Sequence, residues 1–227
     1  MAEAWIALAL SLKVAAAATL LAGVLGVAFG YLLARARFRG RDVLDAVLTL
    51  PLVLPPTVLG YYLLVLLGRQ GALGGWLESS FGIRLVFTWQ GAVIAAALVA
   101  FPLVFKAARA AFEAVDPQLE AAARVLGVGN AAVLLRISLP LAWRGVLAGL
   151  MLAFVRALGE FGATLMVAGS IPGQTQTLSI AVYEAVQAGQ DGLARVLVLI
   201  VSIACLVALL AAGALAPGHV AGSGLRR

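Results

Sequence analysis

Two ionisable residues, Arg156 and Glu160, stand four positions apart in an otherwise apolar stretch of the chain. In a helix this spacing puts both side chains on one face, where the opposite charges can neutralise each other. Charges are costly in apolar surroundings, so the pair is interpreted in two ways. It is a structural ion pair that fixes helix packing, or it faces a pathway for a polar solute and supports its gate. The candidates for pathway or gate residues are Arg156, Glu160 and Thr164.

Small residues surround this pair at Gly159, Gly162, Ala163 and Thr164. A face of small side chains lets two apolar helices approach closely. Contact with a second copy of the chain and packing within one chain are both compatible with such a face.

Side chains that could carry covalent chemistry are sparse. The single histidine, His219, lies near the end of the chain, and the single cysteine, Cys205, stands in an apolar run with no base near it in sequence. No phosphate-binding GxxxxGK[ST] motif occurs. A nucleophile–base set or a metal site inside apolar segments needs several such groups together. We therefore predict no catalytic residue, no metal site and no enzyme activity.

The composition predicts an integral membrane protein. Of the 227 residues, 63% are hydrophobic and only 11% are charged, a ratio that the surface of a soluble domain of this length does not tolerate. Several apolar runs exceed the roughly 18–20 residues needed to cross a bilayer. The fold class is therefore an all-α, polytopic helical bundle. It forms a single domain over residues 1–227, with its core at about 6–216.

About five membrane-spanning helices are predicted. Pro55 removes a hydrogen bond from the second helix, which is therefore kinked or broken there. Residues 169–192 could add a re-entrant or sixth element, and apolar positions 178, 182 and 186 within them indicate a short amphipathic helix. The predicted spans are 6–34, 43–67, 86–105, 145–168 and 193–216, the last one stopped by Pro217 and Gly218.

Basic residues are concentrated on one side of the predicted bundle. The other side has only Arg69 and Arg84, with Arg195 at a boundary. The positive-inside rule places the basic side in the cytoplasm, the N-terminus outside and the C-terminus inside. The net charge of +6 is thus explained by loop anchoring and does not indicate nucleic-acid binding. The eleven basic residues of the cytoplasmic side are Arg35, Arg37, Arg39, Arg41, Lys106, Arg109, Arg124, Arg136, Arg144, Arg226 and Arg227.

The segment 106–144, between the third and fourth spans, carries strong signals for a helix start. Asp116 is a preferred N-cap residue, and Pro117 suits the first helical position. Glu120 lies in the first turns, where the helix dipole favours an acid. It also stands four residues before Arg124, the preferred order for an ion pair.

The second half of the segment predicts a turn and another helix. Gly127 is expected at the C-terminal cap, where a positive φ suits glycine. A short helix at about 131–137 then leads to Pro140, before the fourth span. Together the two helices form a rigid, polar surface that can dock a partner in the cytoplasm.

The spacing inside this segment resembles the cytoplasmic EAA coupling loop in the membrane subunits of bacterial ATP-driven importers. The matching pattern is Ala122-Ala123, three residues, Gly127, nine residues and Ile137-x-Leu139-Pro140. In the family, Glu directly precedes the Ala-Ala pair, whereas Glu120 lies one position further back. The resemblance implies the type I ABC importer permease fold. It assigns the coupling to an ATPase to Glu120, Ala121, Ala122, Ala123, Gly127, Ile137, Leu139 and Pro140.

A second signature indicates the substrate class. Residues 159–164 (GEFGAT) and 171–177 (IPGxTxT) look like the molybdate permease branch of this family and, less closely, the sulfate/thiosulfate permeases. The resemblance implies molybdate import, with a sulfate/thiosulfate or tungstate permease of the same family as the alternative. An independent anion channel or secondary carrier would leave the cytoplasmic loop unexplained. We also find no convincing internal repeat of the kind that many carriers contain.

The resemblance further implies the partners of the chain. They are a second copy of the chain in a homodimer, a cytoplasmic ABC ATPase dimer, and a periplasmic or extracellular oxyanion-binding protein. ATP and Mg would bind to the ATPase, so this chain is expected to bind no cofactor itself. The implied location is the bacterial cytoplasmic (inner) membrane, with several passes through the lipid bilayer. The amphipathic helix near 178–190 is either a receiver for the binding protein or an ordinary interfacial helix.

Overall fold

The computed structural model describes residues 2–36 and 38–215, and every regular element in these ranges is helical. Eleven α-helices and one π turn follow one another along the described chain. They are α1 (Ala2–Arg35), α2 (Arg41–Val53), α3 (Pro56–Leu67), α4 (Ala72–Phe81), α5 (Trp89–Glu113), α6 (Pro117–Val125), α7 (Asn130–Val133), the π turn (Leu134–Ser138), α8 (Leu139–Leu158), α9 (Gly162–Ala168), α10 (Leu178–Gln187) and α11 (Asp191–Leu215).

The predicted membrane bundle of about five spans is confirmed. Four helical stretches are long and apolar enough to cross a bilayer, namely Ala4–Arg35, Trp89–Glu113, Asn130–Leu158 and Asp191–Ala211. Helices α2 and α3 form the fifth candidate as a broken pair bent by 109°. The break lies at Leu54 and Pro55, as the proline pattern predicts.

The segment 169–192 contains a short helix and no sixth span. Helix α10 has 10 residues and a length of about 15 Å, half of the hydrocarbon thickness. The amphipathic helix expected here is thus confirmed as an element. Helix α4, between the second and third spans, was not predicted, because its sequence ALGGWLESSF has neither a strong N-cap nor a long apolar run.

The third and fourth predicted spans differ from the structure by two helical turns or more at one or both ends. The third continues from Trp89 to Glu113 rather than ending near 105, because Lys106 pairs with Asp45 and Arg109 pairs with Glu113 one turn later. The fourth, predicted at 145–168, instead runs over Asn130–Leu158. It stops there because Glu160 accepts a hydrogen bond from Ala163 N and thereby starts the separate helix α9.

The core of the bundle is formed by α1, α5 and α8, which approach closely through small residues. Ala15, Ala18 and Ala22 of α1 are almost completely buried. A Cβ placed on Gly26 would lie 2.8 Å from Val104 Cβ, and one on Gly30 would lie 2.9 Å from Ala108 Cβ. Any larger side chain at these two glycines would push α1 away from α5.

The small-residue face at 159–164 packs within the chain. Helix α3 lies directly against α9, where a Cβ on Gly60 would be 2.7 Å from Met166 Cβ. A Cβ on Gly162 would be 3.2 Å from Pro56 Cβ. Of the two uses that the sequence allows for this face, the structure therefore shows the intrachain contact for Gly162 and Ala163.

Several positions used in the sequence argument fall outside the described residues. These are the predicted end of the last span at 216 with its stop at Pro217 and Gly218, and the residues Arg37, His219, Arg226 and Arg227.

Candidate functional site

The segments rich in basic residues meet at one end of the bundle. The end of α1, the start of α2, the end of α5 and helix α6 are joined there by ion pairs. Glu113 accepts from Arg41 Nη2 at 2.8 Å and from Arg109 Nε at 2.9 Å. Charges from two described segments that are distant in sequence, 35–45 and 106–124, thus form one polar end of an apolar bundle.

Helix α6 begins and ends at the predicted residues. Asp116 Oδ1 accepts a hydrogen bond from Gln118 N at 2.9 Å, and Pro117 occupies the first helical position. At the other end Gly127 has φ +82°, while Val128 N donates to Ala123 O and Gly127 N donates to Arg124 O. This pair of bonds is a Schellman cap, which defines the direction in which the chain leaves the helix.

The carboxylate of Glu120 is buried inside the polar end, with 1% of the side chain exposed. Arg35 Nε lies 2.9 Å from both carboxylate oxygens, and Ser138 Oγ lies 2.7 Å from Oε1. Arg124 adds the i,i+4 ion pair that the sequence predicts, at 3.1 Å. Burial by itself raises the pKa of Glu120. The hydrogen bonds from Arg35 and Ser138 and the charge of Arg35 outweigh this effect and hold the pKa below its ordinary value of 4.5.

The opposite surface of α6 is apolar and exposed. Val125 is 87% exposed and Leu126 is 83% exposed, at the tip of the helix next to Gly127. Ala121 and Ala122 are exposed beside them, whereas Ala123 is buried against the bundle. A short, well-capped helix with exposed apolar side chains at its tip is a docking surface, because the free energy falls when a partner removes these side chains from water.

Helix α6 is linked by its turn to a long helix that contains Pro140. Proline cannot donate to the carbonyl four residues earlier, and its ring crowds that carbonyl. The chain responds with the π turn Leu134–Ser138, in which Leu139 N donates to Leu134 O. Ile137 and Leu139 are half-buried and Pro140 is exposed. The predicted short helix at 131–137 is therefore joined to the fourth span without a break.

Arg156 and Glu160 form a second polar site, at the break between α8 and α9. Arg156 Nη1 lies 2.6 Å from Glu160 Oε2, while Ala163 N donates to Glu160 Oε1 at 2.9 Å. The Glu160 and Thr164 side chains are buried, and Thr164 Oγ1 donates to Phe161 O at 2.9 Å. Arg156 is 34% exposed. Of the three side chains of this site, only that of Arg156 is therefore partly accessible from outside the chain.

A family model described as "Binding-protein-dependent transport system inner membrane component" matches residues 26–219, most of the chain. The chain belongs to this family. It is a permease that passes several times through the inner membrane, and the match includes both polar sites.

Curated relatives of this permease are similar over most of their length. The molybdenum transport system permease protein ModB of Escherichia coli (strain K12) is 47% identical over 208 residues, which are 91% of each chain. The putative molybdenum transport system permease protein YvgM of Bacillus subtilis (strain 168) is 46% identical over 185 residues, 82% of each chain.

The fold of the permease is similar to that of solved ABC importers. Its similarity to a structure of the MetNI methionine ABC transporter in inward-facing conformations has a TM-score of 0.71 at 14% identity, covering 94% of this chain and 93% of that one. At this level of identity the similarity defines the fold, which is that of a type I ABC importer permease.

Sequence reasoning missed three features of the permease site. The charge pattern marks Arg35 only as a topology signal, and nothing in the local sequence marks Ser138, yet both donate to Glu120. The exposed apolar pair Val125 and Leu126 was also missed. The sequence does contain a signal for this pair. The two residues stand directly before the capping Gly127, and helical spacing places them on the side of α6 opposite Glu120.

Proposed function

We propose that this chain is the membrane subunit of an ATP-driven importer that carries molybdate across the bacterial cytoplasmic membrane by alternating access. Relatives that are 46–47% identical are molybdenum transport permeases by name, which supports the substrate. The observation that carries the mechanism is the exposed apolar tip of the capped helix α6 at the basic end of the bundle.

The proposed complex contains two copies of this chain, a cytoplasmic ATPase dimer and an external oxyanion-binding protein. ATP and Mg bind to the ATPase subunits, and this chain binds no cofactor. Membership in a family of binding-protein-dependent permeases supports the ATPase and binding-protein partners. The basic end of the bundle supports a cytoplasmic location for α6, with the N-terminus outside and the C-terminus inside.

The coupling loop of the proposed complex is α6 with the following turn and π segment. Val125 and Leu126 enter the partner surface together with the exposed Ala121 and Ala122. The two caps at Asp116 and Gly127 keep the helix rigid, so that closure of the ATPase dimer displaces it as one body. The residues that couple this motion to the membrane helices are Glu120, Ala121, Ala122, Ala123, Gly127, Ile137, Leu139 and Pro140.

The proposed anion pathway includes the Arg156 guanidinium. Glu160 positions this group through one nitrogen and leaves the other donors of Arg156 available for an oxyanion. Glu160 and Thr164 support the gate from inside, because Glu160 accepts from Ala163 N in the first turn of α9 and Thr164 Oγ1 donates to Phe161 O.

The experiment for this proposal is uptake of labelled molybdate by cells with and without the gene, with excess sulfate or tungstate as competitor. High-affinity uptake that disappears on deletion and survives excess sulfate supports molybdate import. Unchanged molybdate uptake with lost sulfate uptake would assign the chain to sulfate instead. Unchanged uptake of all three anions would refute oxyanion import.

A further inference from the structure

The carboxylate of Glu120 does not belong to the surface that docks a partner. It lies on the side of α6 that faces the bundle and is 1% exposed, whereas Val125 and Leu126 at the tip are more than four-fifths exposed. Within the described chain its carboxylate oxygens accept from Arg35, Arg124 and Ser138. An external residue could reach the carboxylate only by displacing Arg35, Arg124 or Ser138.

The donors to Glu120 belong to different parts of the bundle. Arg35 is the last residue of α1, the helix that packs along the whole length of α5. Ser138 is the last residue of the π turn and directly precedes α8. Arg35 Nη2 also donates to Val115 O, at the junction between α5 and α6, at a distance of 3.2 Å. Three segments, namely α1, α6 and the π turn, therefore meet at one carboxylate, and Arg35 connects them to the end of α5.

The π turn is what brings Ser138 to this carboxylate. A π turn inserts one extra residue into the helix, which rotates the preceding side chains relative to α8. Pro140 requires this turn, as argued above, and Ser138 is completely buried within it. The motif proline therefore acts on the coupling helix through the serine two positions before it.

Without this cluster, α6 would be connected to the spans mainly by its two flanking turns. The first consists of Ala114 to Asp116, and the second contains Gly127 at positive φ and Gly129 in open space. Such turns can bend when the tip of α6 is moved. A buried carboxylate held by two arginines and a hydroxyl cannot shift without breaking strong, charge-assisted hydrogen bonds.

We propose that Glu120 is the positioning residue that transmits displacement of the coupling helix to α1 and α8. This inference rests on the proposed function, because it requires that a partner ATPase moves α6. It assigns the two sides of α6 to separate tasks. The apolar tip binds the ATPase, and the buried carboxylate transfers the motion to the membrane helices.

The test uses the full importer complex in proteoliposomes, with the oxyanion-binding protein and labelled molybdate. Glu120→Gln keeps the size of the side chain and an acceptor for Ser138 but removes the charge that holds Arg35 and Arg124. We expect the variant to copurify with the ATPase and to hydrolyse ATP within about twofold of the unchanged complex, while molybdate transported per ATP falls at least tenfold.

Glu113→Gln is the matched control, since Glu113 is a partly exposed acid with two arginine partners at the same end of the bundle. This control variant should transport as much molybdate per ATP hydrolysed as the unchanged complex.

The outcomes separate this inference from the proposed function. A complex of the unchanged chain that neither retains an ATPase nor transports an oxyanion refutes the proposed function itself. A normal ratio of transport to hydrolysis in Glu120→Gln overturns only the inference, and so does a loss of ATPase binding that lowers both activities together. If Glu120→Gln fails to insert, Ser138→Ala decides: a reduced ratio supports transmission through the carboxylate, and an unchanged ratio overturns it.

Discussion

Arg35 and Glu120 are 85 positions apart in the chain, yet Arg35 Nε lies 2.9 Å from each carboxylate oxygen of Glu120. The contact joins the end of the first span, at the basic end of the bundle, to helix α6. Both side chains are largely removed from water, so the ion pair is little weakened by solvent screening. The ion pair therefore fixes α6 to the end of α1.

Removing one partner of this pair should destabilise the protein strongly. We expect Glu120→Ala to lower the free energy of unfolding by about 3 kcal/mol, because it leaves Arg35 and Ser138 without their buried acceptor. Glu113→Ala, which removes a more exposed ion pair, should cost at most about 1 kcal/mol. Denaturation of both purified variants in the same detergent measures the difference. Equal losses would contradict the central position of Glu120.

The Glu120 cluster should also make stability depend on acid. Its pKa is lower in the folded protein than the ordinary 4.5, so the unfolded chain binds the proton more tightly. The stabilisation is therefore complete above about pH 4.5 and is lost as the pH falls through the lower, folded pKa. Thermal unfolding of the purified protein between pH 7 and pH 3 should show this loss. Glu120→Gln should lose less stability over the same interval, and parallel curves for the two proteins would contradict the assignment.

Substitution of Gly127 should be disfavoured by the backbone conformation of this residue and not by steric crowding of a new side chain. A Cβ on Gly127 would meet no atom within 4 Å, but the residue has φ +82°. Gly127→Val should cost about 1–2 kcal/mol and loosen the cap. In the proposed importer, ATP hydrolysis should continue while molybdate transport falls and the protein still inserts.

Gly129 provides the control for this variant. It also has open space around its Cβ position but has φ −67°, so valine fits there without strain. Transport should therefore be nearly normal in Gly129→Val, and Gly127→Asn should retain most of it, since asparagine tolerates a positive φ. Normal transport in Gly127→Val would count against the rigid loop.

A residue larger than glycine at position 60 should disrupt the contact between α3 and α9. A valine at Gly60 would place its Cβ 2.7 Å from Met166 Cβ and 3.0 Å from Ala163 Cα, so the two helices must separate. We expect a loss of about 1–3 kcal/mol in stability. Gly192→Val, at a position with no neighbouring atom within 4 Å, should have a much smaller effect. A thermal unfolding series in detergent distinguishes the two variants.

Glu160 should contribute to stability in two separable ways. Glu160→Gln retains an acceptor for Ala163 N but loses the ion pair with Arg156. Glu160→Ala loses both, and the missing helix cap should cost about 1 kcal/mol more. Chemical denaturation of the two variants measures this difference. Equal stability of the two would mean that the carboxylate does not cap α9.

Much of this protein can be predicted from local sequence. Asp116, Pro117 and Gly127 define the ends of α6, because capping depends on residues within one helical turn. The break at Pro55 follows equally from the missing N–H group of proline. The end of the fourth span was predicted wrongly, at 168 instead of Leu158, because an unbroken apolar run does not reveal a carboxylate that caps a new helix.

The membrane bundle, the kink in its second span and the capped helix α6 follow from the amino-acid sequence alone. Each of these depends on apolar transfer energy or backbone chemistry summed over neighbouring residues. Three features emerge only from the packing of the helices. Glu120 faces inward to Arg35 and Ser138, the small residues of α9 pack on α3, and Val125 and Leu126 remain exposed. These contacts join residues that are distant in the chain, and their geometry exists only once the helices have packed against one another.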